Sequence, residues 1–140
     1  IIDYLRKERK LSIGEQMAEE VKIRIGSALP MDEPLTMEVS GLAMESGLPS
    51  SIEVNSNEVE LALRASVDEI VRAVRTVMEI TPPELAADIV QRGLMMTGGG
   101  ALLKNFDARL RNELQVPVHV AENALHCVVD GCNIMLQQLH

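Results

Sequence analysis

Gly93-Leu94-Met95-Met96-Thr97-Gly98-Gly99-Gly100-Ala101-Leu102-Leu103 is the stretch on which the fold turns. A short apolar run leads into Thr97 and three glycines, and then into a helical pattern. This is the shape of a buried strand that ends in a tight turn at a helix start. Consecutive glycines permit positive φ and place no Cβ in the way, so a ligand can lie against the backbone. A plain strand-to-helix turn has the same sequence, and this run alone leaves both readings standing.

Downstream, the helix runs to about Leu114, a strand follows over Val116–Val120, and a last helix spans about Leu125 to Leu139. The order β-α-β-α is that of a parallel sheet with crossover helices. Two parallel strands make a poor sheet, and the chain opens inside a helical pattern, Ile1-Ile2-Asp3-Tyr4-Leu5-Arg6, so it reads as a piece of something longer. Upstream, Thr81-Pro82-Pro83-Glu84 stops one helix and starts another that ends near Arg92, with Pro83 suited to the first turn. The stopped helix begins after Ser56, read as its N-cap, and carries Val67, Ile70, Val71, Val74, Val77 and Met78 as one apolar stripe. Leu35–Val39 and Ser51–Val54 alternate apolar and polar and are expected to pair antiparallel. Residues 1–10 end a helix, Leu11–Gly14 break it, and Glu15–Ala28 form a second helix with Met17, Val21 and Ile25 on one face.

Composition narrows the function. With 46% hydrophobic and 24% charged residues among 140, the chain is globular and sized for one ordinary domain. Tyr4 and Phe106 are its only aromatics, so the core is aliphatic and the stacking platforms of a single-strand nucleic-acid binder are missing. A net charge of −8 disfavours nucleic acid and anionic lipid as partners. The cluster Arg6-Lys7-Glu8-Arg9-Lys10 is interrupted by Glu8 and reads as a solvated helix face. Cys127 and Cys132 lack CxxC spacing and read as reduced thiols, and His119, His126 and His140 lack metal-ligand spacing. No apolar run reaches the length of about 18 residues that spans a membrane. No signal peptide, Gly-x-Ser-x-Gly or Walker A sequence is present, so neither a catalytic residue nor a metal ligand is assigned.

One side-chain constellation adds to the glycine turn. Glu19, Lys22 and Gly26 fall at i, i+3 and i+7 of the second helix, off its apolar stripe. A carboxylate accepts from hydroxyls, an ammonium donates, and a glycine leaves room, which suits a ribose or a purine edge. A helical Glu–Lys pair worth a few tenths of a kcal/mol is the plainer reading. Glu20 and Arg24 read as a second such pair.

Together these segments resemble a known family. Ile13 through Ala28, Thr81-Pro82-Pro83-Glu84-Leu85-Ala86-Ala87-Asp88-Ile89, Gly93 through Leu103 and Pro117-Val118-His119-Val120-Ala121-Glu122 are similar, in that order, to the MreB family of bacterial actin-like rod-shape proteins. The resemblance implies an α/β fold: an α+β small subdomain at about 15–80, and part of a ribonuclease H-like large actin subdomain at 1–14 and 81–140. It implies that Glu19, Glu20, Val21 and Lys22, with Gly26, belong to an adenosine-contacting helix, and that Gly98, Gly99, Gly100 and Ala101 form an adenosine-and-phosphate loop. It further implies ATP or ADP with Mg²⁺ as cofactor, filament formation at the inner face of the bacterial membrane, and guidance of the cell-wall elongation machinery with a partner called RodZ. The family's phosphate-binding glycine hairpins, catalytic acid and membrane-contacting elements have no counterpart in this segment. It is therefore expected to hydrolyse no ATP alone, to bind nucleotide weakly or not at all, and to self-associate through an exposed strand edge near Leu94–Thr97.

The sequence departs from the family at Gln16, usually Arg, at Asn123-Ala124-Leu125-His126, usually Asp-Pro-Leu-Thr, and at Gly131-Cys132-Asn133, often Gly-Thr-Gly. Two alternatives stand beside this reading: a chaperone or sugar-kinase type ATPase of the same superfamily, and an interaction module for which nucleotide is irrelevant.

Overall fold

The computed structural model describes residues 1–139, so His140 lies outside the described residues. Its elements run α1 (Ile2–Glu8), β1 (Leu11–Ser12), α2 (Glu15–Ile25), β2 (Thr36–Ala43), β3 (Pro49–Asn55), α3 (Ser56–Glu79), α4 (Pro83–Arg92), β4 (Leu94–Met96), α5 (Phe106–Leu114), β5 (Val118–Val120) and α6 (Cys127–Gln138). The chain divides into two compact units, Ile1–Glu69 and from Ile70 onward.

The first unit is a three-stranded antiparallel sheet, β1-β2-β3, with helices packed on it. Strand alternation sets its register. Met37 and Val39 face inward opposite Val54 and Ile52, while Thr36, Glu38 and Ser40 face out opposite Asn55, Glu53 and Ser51. Leu5, Leu11, Ile13, Val21, Ile25, Met37, Val39, Val54 and Val59 make the aliphatic core. Residues 1–14 contribute Leu5, Leu11 and Ile13 to that core and fall within the first unit. The expected break over Leu11–Gly14 contains β1, a two-residue strand paired with Ala43 and Leu42.

The start of α3 differs from expectation in an instructive way. Ser56 is not its cap. The Asn55 Oδ1 accepts the Glu58 N–H at 2.9 Å, and Glu58 Oε2 accepts the Asn55 N–H at 3.1 Å, a reciprocal capping box one residue earlier. Ser56 is fully buried and its hydroxyl accepts from the Leu35 N–H at 3.0 Å, so it secures the entry to β2 instead. Asn57 grips the preceding loop, accepting the Met31 N–H and donating to the Met31 carbonyl. Further along, the buried Glu60 takes both of its oxygens to Arg64, at 3.0 and 2.6 Å. That carboxylate holds the Arg64 guanidinium even more firmly protonated than usual. The apolar stripe is narrower than its spacing suggests: Val67 and Val71 are buried, Val74 and Met78 half-buried, and Ile70 and Val77 exposed.

In the second unit, β4 and β5 pair in parallel, Leu94 opposite Val118 and Met96 opposite Val120, as the β-α-β order implies. Phe106 and Leu110 of α5 are buried at i and i+4, and Arg111 donates to the Val118 carbonyl of β5 at 2.9 Å. The strand before the glycines is less covered than expected: Met95 is exposed and Leu94 and Met96 only half-buried. Gly93 fits this unit tightly. Its φ is +80°, and a Cβ there would lie 2.3 Å from the Pro117 carbonyl oxygen. The helix α6 has no fully buried side chain among its residues.

Candidate functional site

Within the first unit, helical geometry places Glu15, Ala18, Glu19 and Lys22 on one face of α2, at i, i+3, i+4 and i+7. That face borders an open groove of about 580 Å³, lined also by Ile1, by Ile2 and Asp3 from α1 and by Leu63 from α3. The Lys22 Nζ lies 2.9 Å from Glu19 Oε2, both side chains about half exposed. Such a pair contributes little to stability, and both of its residues line the groove.

The other expected members of this segment divide. Glu20 pairs with Arg24 at 3.2 Å on the solvent side. Val21 is fully buried and is a core residue, so it supports the helix from beneath. Gly26 closes the helix: α2 ends at Ile25, the Gly26 N–H bonds the Lys22 carbonyl at 2.9 Å, and the chain leaves Gly26 in extended conformation at φ −67°, ψ 138°. Asp3, Glu15, Ala18 and Leu63 line the groove without having been singled out in the sequence. The same helical spacing that joins Glu19 to Lys22 includes Glu15 and Ala18, whereas Leu63 comes from another helix and leaves no local signal.

Tyr4 of α1 is half-buried against the first unit's core. Its phenol is pushed above the ordinary range by burial first, then by the Glu58 and Glu8 carboxylates, with Arg9 opposing.

Within the second unit, Gly98 takes φ +86°, a conformation that L side chains rarely adopt, and donates its N–H to the Ala124 carbonyl. The glycines do not enter an α-helix directly. They form a single 3-10 turn, Gly99–Leu102, and the helix begins only at Phe106 after Asn105 at φ +63°. Adjacent glycines are weak helix formers, so the tighter turn prevails there. A Cβ at Gly98 or Gly100 would meet no atom within 4 Å, and one at Gly99 would come within 3.3 Å of the Leu125 side chain. Gly99 and Gly100 are exposed, while Ala101 is buried and anchors the turn.

Among the described residues no group of three or more His, Cys, Asp or Glu side chains is placed to hold a metal ion, and no helix is long and apolar enough to cross a membrane. Cys127 is half-buried and Cys132 exposed, both as free thiols.

Comparison with known proteins converges on one family. The MreB/Mbl protein family profile matches residues 1–140. The cell shape-determining protein Mbl of Bacillus subtilis is 50% identical over 139 residues, covering 99% of this chain and 42% of its own length. The cell shape-determining protein MreB of Escherichia coli K12 is 45% identical over 139 residues, covering 99% and 40%. Among solved structures, MreB5 of Spiroplasma citri bound to ADP superposes with a TM-score of 0.94 at 35% identity, over 99% of this chain and 42% of that one. The MamK double helical filament matches with a TM-score of 0.68 at 20% identity over 89% of this chain and 40% of that one, a likeness of fold. The chain belongs to the MreB/Mbl family and has its actin-like fold, and it spans about two fifths of the length of the curated relatives it matches.

Proposed function

We propose that this MreB/Mbl chain is the adenosine-recognising part of an ATP-binding, filament-forming protein that sets rod cell shape by guiding cell-wall synthesis. The observation that carries the reading is the exposed Lys22–Glu19 pair, 2.9 Å apart, beside an open groove. Family membership and the ADP-bound state of the similar MreB5 support it.

The residues present fit an adenosine moiety. Glu19 accepts from ribose hydroxyls, Lys22 donates to a ring or hydroxyl acceptor, and Val21 holds both through the buried side of α2. At Gly98 and Gly100 a side chain would fill space that the chain leaves clear. Bound ATP would supply the transferable phosphoryl group, with Mg²⁺ neutralising its charge. The residues of this chain bind and orient; none is assigned to phosphoryl transfer, and the chain alone hydrolyses no ATP. In the whole protein, self-association into filaments, a place at the inner face of the membrane, and contact with RodZ and the elongation machinery complete the proposal.

The test is a chimera in which this chain replaces the matching segment of Bacillus subtilis Mbl. The expected result is restored rod shape in cells lacking Mbl and nucleotide binding by the purified chimera. Gly100→Val, placed where the fold has room, is expected to abolish both. A chimera that restores shape regardless of Gly100→Val and Lys22→Ala would favour a nucleotide-independent interaction module.

A further inference from the structure

Arg9 ends α1, its N–H bonded to the Leu5 carbonyl at 3.1 Å. Its guanidinium reaches two other elements of the first unit. Nη1 pairs with Glu58 Oε1 in the first turn of α3, and Nη2 donates to the Glu53 carbonyl in β3 at 3.1 Å. Glu58 is already committed through its other oxygen to the Asn55 N–H. One carboxylate therefore both starts α3 and holds α1. The Arg9 and Glu58 side chains are 32% and 19% exposed, better shielded than the Lys22–Glu19 pair at 44% and 58%.

The placement matters for the groove. Ile2 and Asp3 of α1, Leu63 of α3, and Glu19 and Lys22 of α2 all line it, with Ile1 from just before α1. The seven-residue α1 has one fully buried side chain, Leu5. Leu5, with Ile1, Ile2 and Tyr4 partly buried beside it, holds α1 on the core by apolar contact, which is non-directional. A forked guanidinium spanning a carboxylate and a carbonyl does fix direction. We propose that the Arg9–Glu58 pair is a positioning clasp that sets how α1 lies against α3, and thereby the width of the groove beside Glu19 and Lys22. Its functional meaning rests on the adenosine reading, but its test needs no nucleotide, so the two fail separately.

The experiment compares amide NMR spectra of the 140-residue chain and its Arg9→Ala, Arg9→Lys and Glu58→Gln variants. With Arg9→Ala the signals of Asp3, Ala18, Lys22 and Leu63 are expected to move, and exchange of the Leu5 and Arg9 amides to quicken about threefold, the scale of a partly shielded pair. Arg9→Lys, which keeps the charge and loses the fork, restores part of the change. Tyr4 is the sole tyrosine and supplies an electrostatic signature. Its phenol, raised by Glu58 and lowered by Arg9, titrates still higher in Arg9→Ala and lower in Glu58→Gln. Should Arg9→Ala not fold, Glu58→Gln is read by the same groove signals. Changes confined to residues next to position 9, with the groove signals still in both Arg9→Ala and Glu58→Gln, would overturn the proposal.

Discussion

Replacing Asn55 by alanine isolates the interaction that begins α3. The side chain supplies one bond, Oδ1 to the Glu58 N–H at 2.9 Å, at the N-terminus of a 24-residue helix. Its loss leaves that donor without its cap, while the return bond from Glu58 Oε2 to the Asn55 N–H survives, being made to backbone. An N-cap of this kind contributes about 1 kcal/mol, with a range of about 0.5–2. For a unit of roughly 70 residues, 1 kcal/mol lowers the melting temperature by about 4–8 °C. Urea unfolding followed by Tyr4 fluorescence is the assay: Tyr4 belongs to the first unit and the chain has no tryptophan. Asn55→Ser, another good cap, should recover most of the loss. Ser56→Ala should also destabilise, but by removing the acceptor of the part-buried Leu35 N–H rather than by uncapping the helix. An Asn55→Ala variant as stable as the parent would refute the capping box.

Three further outcomes follow from the same geometry. Glu38 and Glu53 face each other across β2 and β3 on the exposed side, so Glu38→Lys should turn a repulsion into an attraction and stabilise the first unit by about 0.5–1 kcal/mol in the same urea assay; a loss of stability would contradict the register. Gly93→Ala combines a strained φ of +80° with a Cβ 2.3 Å from the Pro117 oxygen, and should cost the second unit about 2–4 kcal/mol, read as lost dispersion of the Leu94 and Val118 amide signals. Because the folded phenol of Tyr4 lies above its ordinary value of 10.0, the folded state retains that proton longer than the unfolded one; the resulting stability is intact below pH 10 or so and fades as pH rises through the folded value, and flat stability across that alkaline window would contradict the burial of Tyr4.

The sequence made some of this legible because period and punctuation are local signals. The double proline marked α4, the β-α-β order gave a parallel β4–β5 pair, and alternation gave the antiparallel β2–β3 pair. What it hid depends on neighbours distant in the chain. Two residues are too few to show a strand period, so β1 emerged only through its pairing with Ala43 and Leu42. Asn55 and Ser56 are both good caps on paper, and the choice between them was made by Leu35, whose N–H occupies the Ser56 hydroxyl. The helix expected to reach Ala28 stops at Ile25, because Gly26 caps it and turns the chain into extended backbone. An apolar run such as Leu94–Met96 records what can be buried, not what is, and Met95 is exposed. For the candidate site, Glu19 and Lys22 were visible as a helical pair, while their groove required Leu63 and α1.

The most direct test of the central claim, that these residues recognise adenosine, is titration of ADP into the isotopically labelled chain while following its amide signals. The account predicts weak, millimolar-range shifts that concentrate on Glu19, Lys22 and the Gly98–Ala101 turn and vanish in Lys22→Ala and Gly100→Val. A well-dispersed spectrum in which those signals stay still, or shifts that survive both substitutions, would contradict it.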